Sequence, residues 1–138
     1  MGSFDLSWFD SPEDAAQLER LHGLIQGAAK GTPTRQDLDA LLSVFERFPG
    51  HDGFGVFWSI LHYIEGVEGY GPAVIASVLR APGEFNLSMI NRMLNGGIVS
   101  VGDASLIGIL EAVAASDKAS DEARETARHL IAYQRAKA

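Results

Sequence analysis

Residues 53–70 hold the densest run of large apolar and aromatic side chains in the chain. Their apolar positions recur every three or four residues, which is the spacing of one face of an α-helix. The face consists of Phe54, Phe57, Ile60, Leu61, Ile64 and Val67, with Val56 and Trp58 beside it. We therefore expect a central helix that is buried over most of its circumference.

The rest of the chain repeats this helical pattern in shorter segments separated by Gly, Pro and capping residues. The first helix is expected to run to about Lys30, and Thr34 with Asp37 has the spacing of a capping box. The predicted helix starts are Asp10 to Asp14, Thr34, Asp52, Pro72, Asn86 or Ser88, Asp103 or Ser105, and Ser120. Residues 98–101 have strand propensity, but without a second strand to pair with we expect an extended connector there.

About seven helices with short loops predict an all-α protein. Successive helix pairs recur at roughly the length of an α-solenoid repeat, so we expect antiparallel hairpins stacked in a short HEAT-like array. An irregular helical bundle is the alternative. The whole chain, residues 1–138, is expected to form one helical domain. Its first ten residues carry Phe4, Leu6, Trp8 and Phe9, an aromatic leader that is expected to fold back on the core.

Charge narrows the classes of partner. The formal net charge is -7 and the pI is near 4.9, which disfavours nucleic acid and anionic membranes because both attract basic surfaces. A basic protein partner would be attracted, although acidity also serves solubility alone. Cys is absent, and neither an export signal nor a long apolar span is visible, so we expect a cytoplasmic protein.

Catalytic and metal-binding motifs are weak. His62 and Glu65 lie one helical turn apart and could share a metal, but no second copy of this pair is present. His51-Asp52 lacks the further His and Asp residues of the metal-dependent HD phosphohydrolases, and Pro72 stands where a phosphate-binding loop needs Lys. We expect no enzyme activity, cofactor or metal, and keep a small metal-dependent hydrolase using His62 and Glu65 as an alternative.

Two polar groups are the candidate partner-binding residues. Asn91, Arg92 and Asn95 share one side of a helix, where Asn is a poor helix former, so recognition or hydrogen bonding to neighbouring loops must explain them. Glu65 and Glu68, with Tyr70, follow the C-terminal end of the central helix. Acids there oppose the helix dipole, and a basic partner would offset that cost; a plain solvated turn is the alternative.

A resemblance adds a functional expectation. Residues 55–65 (GVFWSILHYIE), Gly69-Tyr70 and residues 89–95 (MINRMLN) resemble small helical immunity proteins encoded beside bacterial polymorphic and contact-dependent toxins. The likeness covers roughly residues 38–110. It implies a cytoplasmic protein that binds the catalytic domain of one toxin and blocks it. Such families have no catalytic residues, and their toxin-contacting positions vary with each toxin.

The sequence therefore predicts an immunity protein that occludes the active or substrate-binding surface of a cognate toxin. Toxin nucleases fit this prediction because their substrate-binding clefts are basic, and an acidic inhibitor is steered towards such a surface. The alternative is a helical adaptor, or solenoid module, that joins other proteins without inhibiting them.

Overall fold

The computed structural model describes residues 5–28 and 31–137, and in these ranges the all-α prediction is confirmed. Seven helices account for most of the described chain. They are α1 (Ala15–Ala28), α2 (Arg35–Arg47), α3 (Val56–Glu65), α4 (Gly71–Arg80), α5 (Glu84–Asn95), α6 (Leu106–Ala114) and α7 (Asp121–Lys137). A short 3-10 turn, Gly53–Gly55, precedes α3. None of the described helices is long and apolar enough to cross a bilayer.

The helices pack in two layers. α1 contacts α3, α3 contacts α5, and α5 contacts α7, while α2 contacts α4 and α4 contacts α6. Odd-numbered helices therefore form one layer and even-numbered helices the other. Some consecutive helices also pack on each other: α2 on α3, α4 on α5, α5 on α6 and, most extensively, α6 on α7. Contacts between each helix and the next but one are what stacked helix pairs produce.

The core is built on one side of α3. Phe57, Ile60, Leu61 and Ile64 are fully buried, which confirms the central-helix prediction for these positions. The Phe57 ring lies 6.2, 5.9 and 5.9 Å, centroid to centroid, from the rings of Phe9, Phe45 and Phe85. These separations suit edge-to-face aromatic contacts. α3 thereby joins the N-terminal segment, α2 and α5 in one aromatic cluster.

The N-terminal segment packs on this cluster. Leu6 and Phe9 are buried and Trp8 is half-buried, whereas Phe4 lies outside the described residues. The Arg47 guanidinium donates from Nη1 to the Phe9 carbonyl at 2.8 Å and from Nη2 to the Leu6 carbonyl at 3.1 Å. One arginine therefore satisfies two carbonyls of a segment that has no regular structure.

Several helix starts are as predicted. Thr34 and Asp37 form the capping box, and Ser105 and Ser120 accept from the backbone N–H groups three residues on. The start of α1 was predicted too early: the cap is Asp14, which accepts from the N–H groups two and three residues on. The end of α1 predicted at Lys30 lies outside the described residues.

The predicted start of α5 was wrong. Neither Asn86 nor Ser88 is its cap, because the helix begins at Glu84. Asn86 Oδ1 reaches back and accepts from the Gly83 N–H at 2.8 Å. A Cβ at position 83 would lie 2.8 Å from the Pro49 Cβ, so only glycine fits at this start. The Pro82-Gly83 pair therefore follows the end of α4 and also provides the start of α5. The spacing of polar residues alone could not show that the same pair serves both helices.

Asn86 is also the centre of a buried polar network. Its Nδ2 donates to Ser77 Oγ at 3.0 Å and to the Ala81 carbonyl at 3.1 Å. Ser77 Oγ in turn donates to Glu46 Oε2 at 2.7 Å. Asn86 and Ser77 are fully buried, so these bonds replace all their contacts with water. The network joins α2, α4 and α5.

The expected extended connector is instead half of a minimal hairpin. Ser100–Val101 (β1) pairs antiparallel with Ala104–Ser105 (β2). The turn uses Gly102 at φ +59°, and the Val101 side chain packs against Gly71, where an added Cβ would lie 3.1 Å from it. The prediction failed because the partner strand has only two residues and leads directly into α6.

We predict that Asn86→Ala lowers the free energy of unfolding by about 2–3 kcal/mol, since the buried Gly83 N–H loses its acceptor and Ser77 Oγ and the Ala81 carbonyl lose the donor Nδ2. Chemical denaturation monitored by circular dichroism measures the loss. Asn95→Ala in the same helix is the control: its hydrogen bonds to Gln134 and Lys137 are exposed to water, so we expect a loss of at most about 1 kcal/mol. Equal effects of the two substitutions would contradict the network.

Candidate functional site

A mixed aromatic and charged surface, which we call the α3 face, combines Trp58, His62 and Glu65 of α3 with Phe54 in the turn before it, Glu68 in the turn after it and Arg92 of α5. Phe54 and Trp58 were predicted to be buried, and this was wrong, since their side chains are 72% and 41% exposed. Trp58 packs edge-on against Phe85 of α5 at 5.0 Å, and its ring centroid lies 6.1 Å from that of His62. Large exposed aromatic side chains are the residue type that most often anchors protein interfaces.

Glu65 and Arg92 meet across the gap between α3 and α5. Arg92 Nε donates to Glu65 Oε2 at 2.6 Å and Nη2 donates to Oε1 at 2.9 Å, a two-bond pair of planar groups. His62 Nδ1 lies 3.7 Å from Glu65 Oε1. Because the side chains are 20% and 40% exposed, the pair contributes about 0.2–1 kcal/mol to stability. The Glu65 carboxylate is therefore already paired within the protein, and a basic partner would have to compete with Arg92 for it.

Tyr70 belongs to the same electrostatic group. Burial raises the pKa of its half-buried phenol above the ordinary value of 10.0, and the negative charge of Glu65 raises it further, while Arg92 lowers it. A raised pKa means that folding favours the neutral phenol. This contribution to stability is complete below pH 10 and is lost as the pH rises through the pKa of the folded state.

Asn91 and Asn95 are held by the last helix. Gln134 Nε2 donates to Asn91 Oδ1 at 2.6 Å and to Asn95 Oδ1 at 2.9 Å, and Lys137 Nζ donates to Asn95 Oδ1 at 2.6 Å. The amides therefore bind side chains of a helix, not the loop backbone considered as the alternative to recognition. This arrangement gives two poor helix formers a structural role in joining α5 to α7.

Glu68 is the predicted site residue that stands apart. It is exposed in the turn after α3, and within residues 5–28 and 31–137 its carboxylate has no side-chain partner. It lies on the rim of a cleft of about 440 Å³. The other residues lining the cleft are Gly31, Thr32, Pro33, His62, Tyr63, Gly66 and Val67. The structure thus pairs Glu65 with Arg92, places Tyr70 within reach of their charges, ties Asn91 and Asn95 to α7, and leaves Glu68 without a side-chain partner in the described residues.

A shallow groove between α1 and α3 was missed by sequence reasoning. It has a volume of about 360 Å³ and is lined by Leu18, Glu19, His22, Phe54, Gly55, Val56 and Ser59. The signal that could have found it is Gly53-Phe54-Gly55, because a pair of glycines around one aromatic residue interrupts a helical pattern. Sequence reasoning continued the helix through this tripeptide and so assigned Phe54 to the core.

Charge is distributed unevenly between paired cations and unpaired acids. Every arginine of the chain has an acidic, carbonyl or aromatic partner, and Lys137 binds Asn95. Over the described ranges, the exposed acids whose side chains have no partner are Glu19, Glu68, Glu84, Asp103, Asp117 and Glu122. Lys118 is also exposed without a side-chain partner, so acids outnumber cations six to one among the unpaired exposed charges of the described residues.

Metal chemistry has little support in the arrangement of side chains. The part of the chain that the structure describes contains no group of three or more His, Asp or Glu residues placed to hold a metal ion. Both carboxylate oxygens of Glu65 already accept from Arg92. His51 Nδ1 accepts from the Gly53 N–H at 2.8 Å, and Asp52 Oδ1 accepts from the Phe54 N–H, so this pair organises the turn before α3.

Comparison with protein-family models, curated proteins and solved structures finds no match.

We predict that Glu65→Gln lowers the pKa of Tyr70, because it removes the negative charge that raises the pKa and frees Arg92 to stabilise the phenolate. Absorbance titration of tyrosinate, taken as the difference between each protein and its Tyr70→Phe derivative, isolates this group. Glu68→Gln is the matched control and leaves the Tyr70 pKa unchanged. A lowered pKa in the control and not in Glu65→Gln would contradict the geometry.

Proposed function

We propose that the protein is an immunity-type inhibitor that binds a basic catalytic domain of a cognate bacterial toxin and occludes it. The observation that carries the proposal is the distribution of charge. All arginines are engaged within the protein, while exposed carboxylates such as Glu68 have no partner among the described residues. The net charge of -7 and these carboxylates together attract a basic partner.

Such a surface favours fast and selective association. Complementary potentials accelerate diffusional encounter and reject partners of like charge. Nucleases and other toxins that act on polyanions require a basic substrate-binding surface. An acidic inhibitor seated on that surface competes directly with the substrate, so inhibition requires binding only and no chemical step by the inhibitor.

The α3 face supplies the apolar contacts that charge alone does not. A stable complex buries about 800 Å² on each partner, with aromatic residues near the centre and polar residues at the rim. Trp58 is an exposed aromatic side chain next to His62, which neighbours the Glu65–Arg92 pair. Phe54 is exposed in the turn before α3, and Glu68 is exposed in the turn after it. The α3 face thus offers exposed aromatic side chains for the centre of an interface and charged residues for its rim.

The direct test is co-expression of the tagged protein with the product of the adjacent gene, followed by co-purification and an activity assay of the toxin domain. We expect a stable complex in which the toxin is inactive. A complex without loss of toxin activity would favour the adaptor alternative. A partner that is itself strongly acidic, or turnover of a small molecule by the purified protein, would contradict the proposal.

We predict that Glu68→Lys slows association with the toxin domain about three- to tenfold at low ionic strength, with a smaller effect at high salt because the charge is exposed. Stopped-flow or surface plasmon resonance measurements give the rate constants. Asp117→Lys, in the loop between α6 and α7, makes the same change in net charge and is the control. Equal slowing by both variants would place the contact elsewhere.

A further inference from the structure

Phe54 has an unusual backbone conformation. Its φ and ψ are 52° and 41°, which is the left-handed region, and in the described residues it is the one non-glycine residue with positive φ. Gly53 and Gly55 on either side also have positive φ, at 58° and 92°. Glycine adopts this conformation at little cost, whereas a bulky aromatic residue is strained there.

Packing within the protein does not offset this strain. The Phe54 side chain is 72% exposed, and its ring contact is with the edge of His51 at 5.7 Å. Its backbone N–H bonds Asp52 Oδ1 at 3.0 Å, a contact that glycine would keep. An exposed strained residue with no compensating burial points to a role outside folding.

The groove beside Phe54 indicates what the ring would bind. Phe54 and Glu19 line the same groove between α1 and α3. The Glu19 carboxylate is exposed and has no side-chain partner in the described ranges. The nearby Arg20 is held elsewhere, with its guanidinium 4.0 Å from the Trp8 ring centroid. The groove therefore combines the Phe54 ring with a carboxylate that has no side-chain partner in the described ranges.

We infer that Phe54 and Glu19 form a subsite for an arginine side chain of the partner. A guanidinium is planar, stacks on aromatic rings and donates to carboxylates through a fixed fork of N–H groups, so it satisfies both elements of the groove at once. This inference rests on the proposed function for its partner, the basic toxin domain. It adds the chemical group that is recognised and the residues that recognise it.

Phe54→Gly separates binding from folding. It removes the ring and the strain together, so we expect the melting temperature to rise by about 2–4 °C while the dissociation constant for the toxin domain increases about tenfold or more. Leu79→Ala removes another exposed apolar side chain, from α4 in the even layer, and is the control for affinity. Glu19→Gln weakens binding about three- to tenfold and couples to Phe54→Gly in a double-mutant cycle.

A second probe makes failure of the subsite distinguishable from failure of the proposed function. An arginine-containing peptide and its citrulline analogue are titrated into the labelled protein and followed by NMR. We expect the arginine-containing peptide, and not its citrulline analogue, to shift the NMR signals of residues 54 and 19. These shifts are lost in the variant that carries both Phe54→Gly and Glu19→Gln. If the toxin domain binds wild type and Phe54→Gly equally, or arginine and citrulline act alike, the subsite is wrong. If arginine binds here but the toxin domain does not, the proposed function fails and the subsite stands.

Discussion

The structure depends on the burial of α3 against an aromatic cluster. Phe57 contacts the rings of Phe9, Phe45 and Phe85, so the N-terminal segment, α2 and α5 all meet on one helix. Burying large side chains is the main favourable term in folding, and this cluster lies within a core to which every helix contributes buried residues. The remaining side of α3 stays in solvent, between α1 and α5, and becomes the surface on which Trp58 and His62 lie.

Some polar side chains form hydrogen bonds that join the helices, whereas others are exposed and free to contact a partner. Hydrogen bonds among Asn86, Ser77 and Glu46 join α5, α4 and α2. Arg47 binds the carbonyls of the N-terminal segment. The Glu65–Arg92 pair is intermediate, because it bridges α3 and α5 yet remains partly exposed. What is left over is mainly acidic.

Periodicity identified the helices well because each buries a continuous apolar stripe, and short capping signals gave the correct starts of α2, α6 and α7. It failed where the backbone departs from helical geometry. Phe54 has the right spacing for the core, but the left-handed turn at Gly53–Gly55 places it in solvent. The spacing of Asn91 and Asn95 predicted that they share a face, whereas their partner Gln134 lies far along the chain and left no local signal.

The central claim is that the α3 face is the surface that contacts a basic partner. Amide hydrogen exchange of the protein, free and in complex with the co-purified toxin domain, tests this most directly. We expect binding to increase protection in α3, in the turns on either side of it and in the facing segments of α1 and α5, with α4 and α6 unchanged. Protection confined to α4 and α6, with α3 unaffected, would contradict the account.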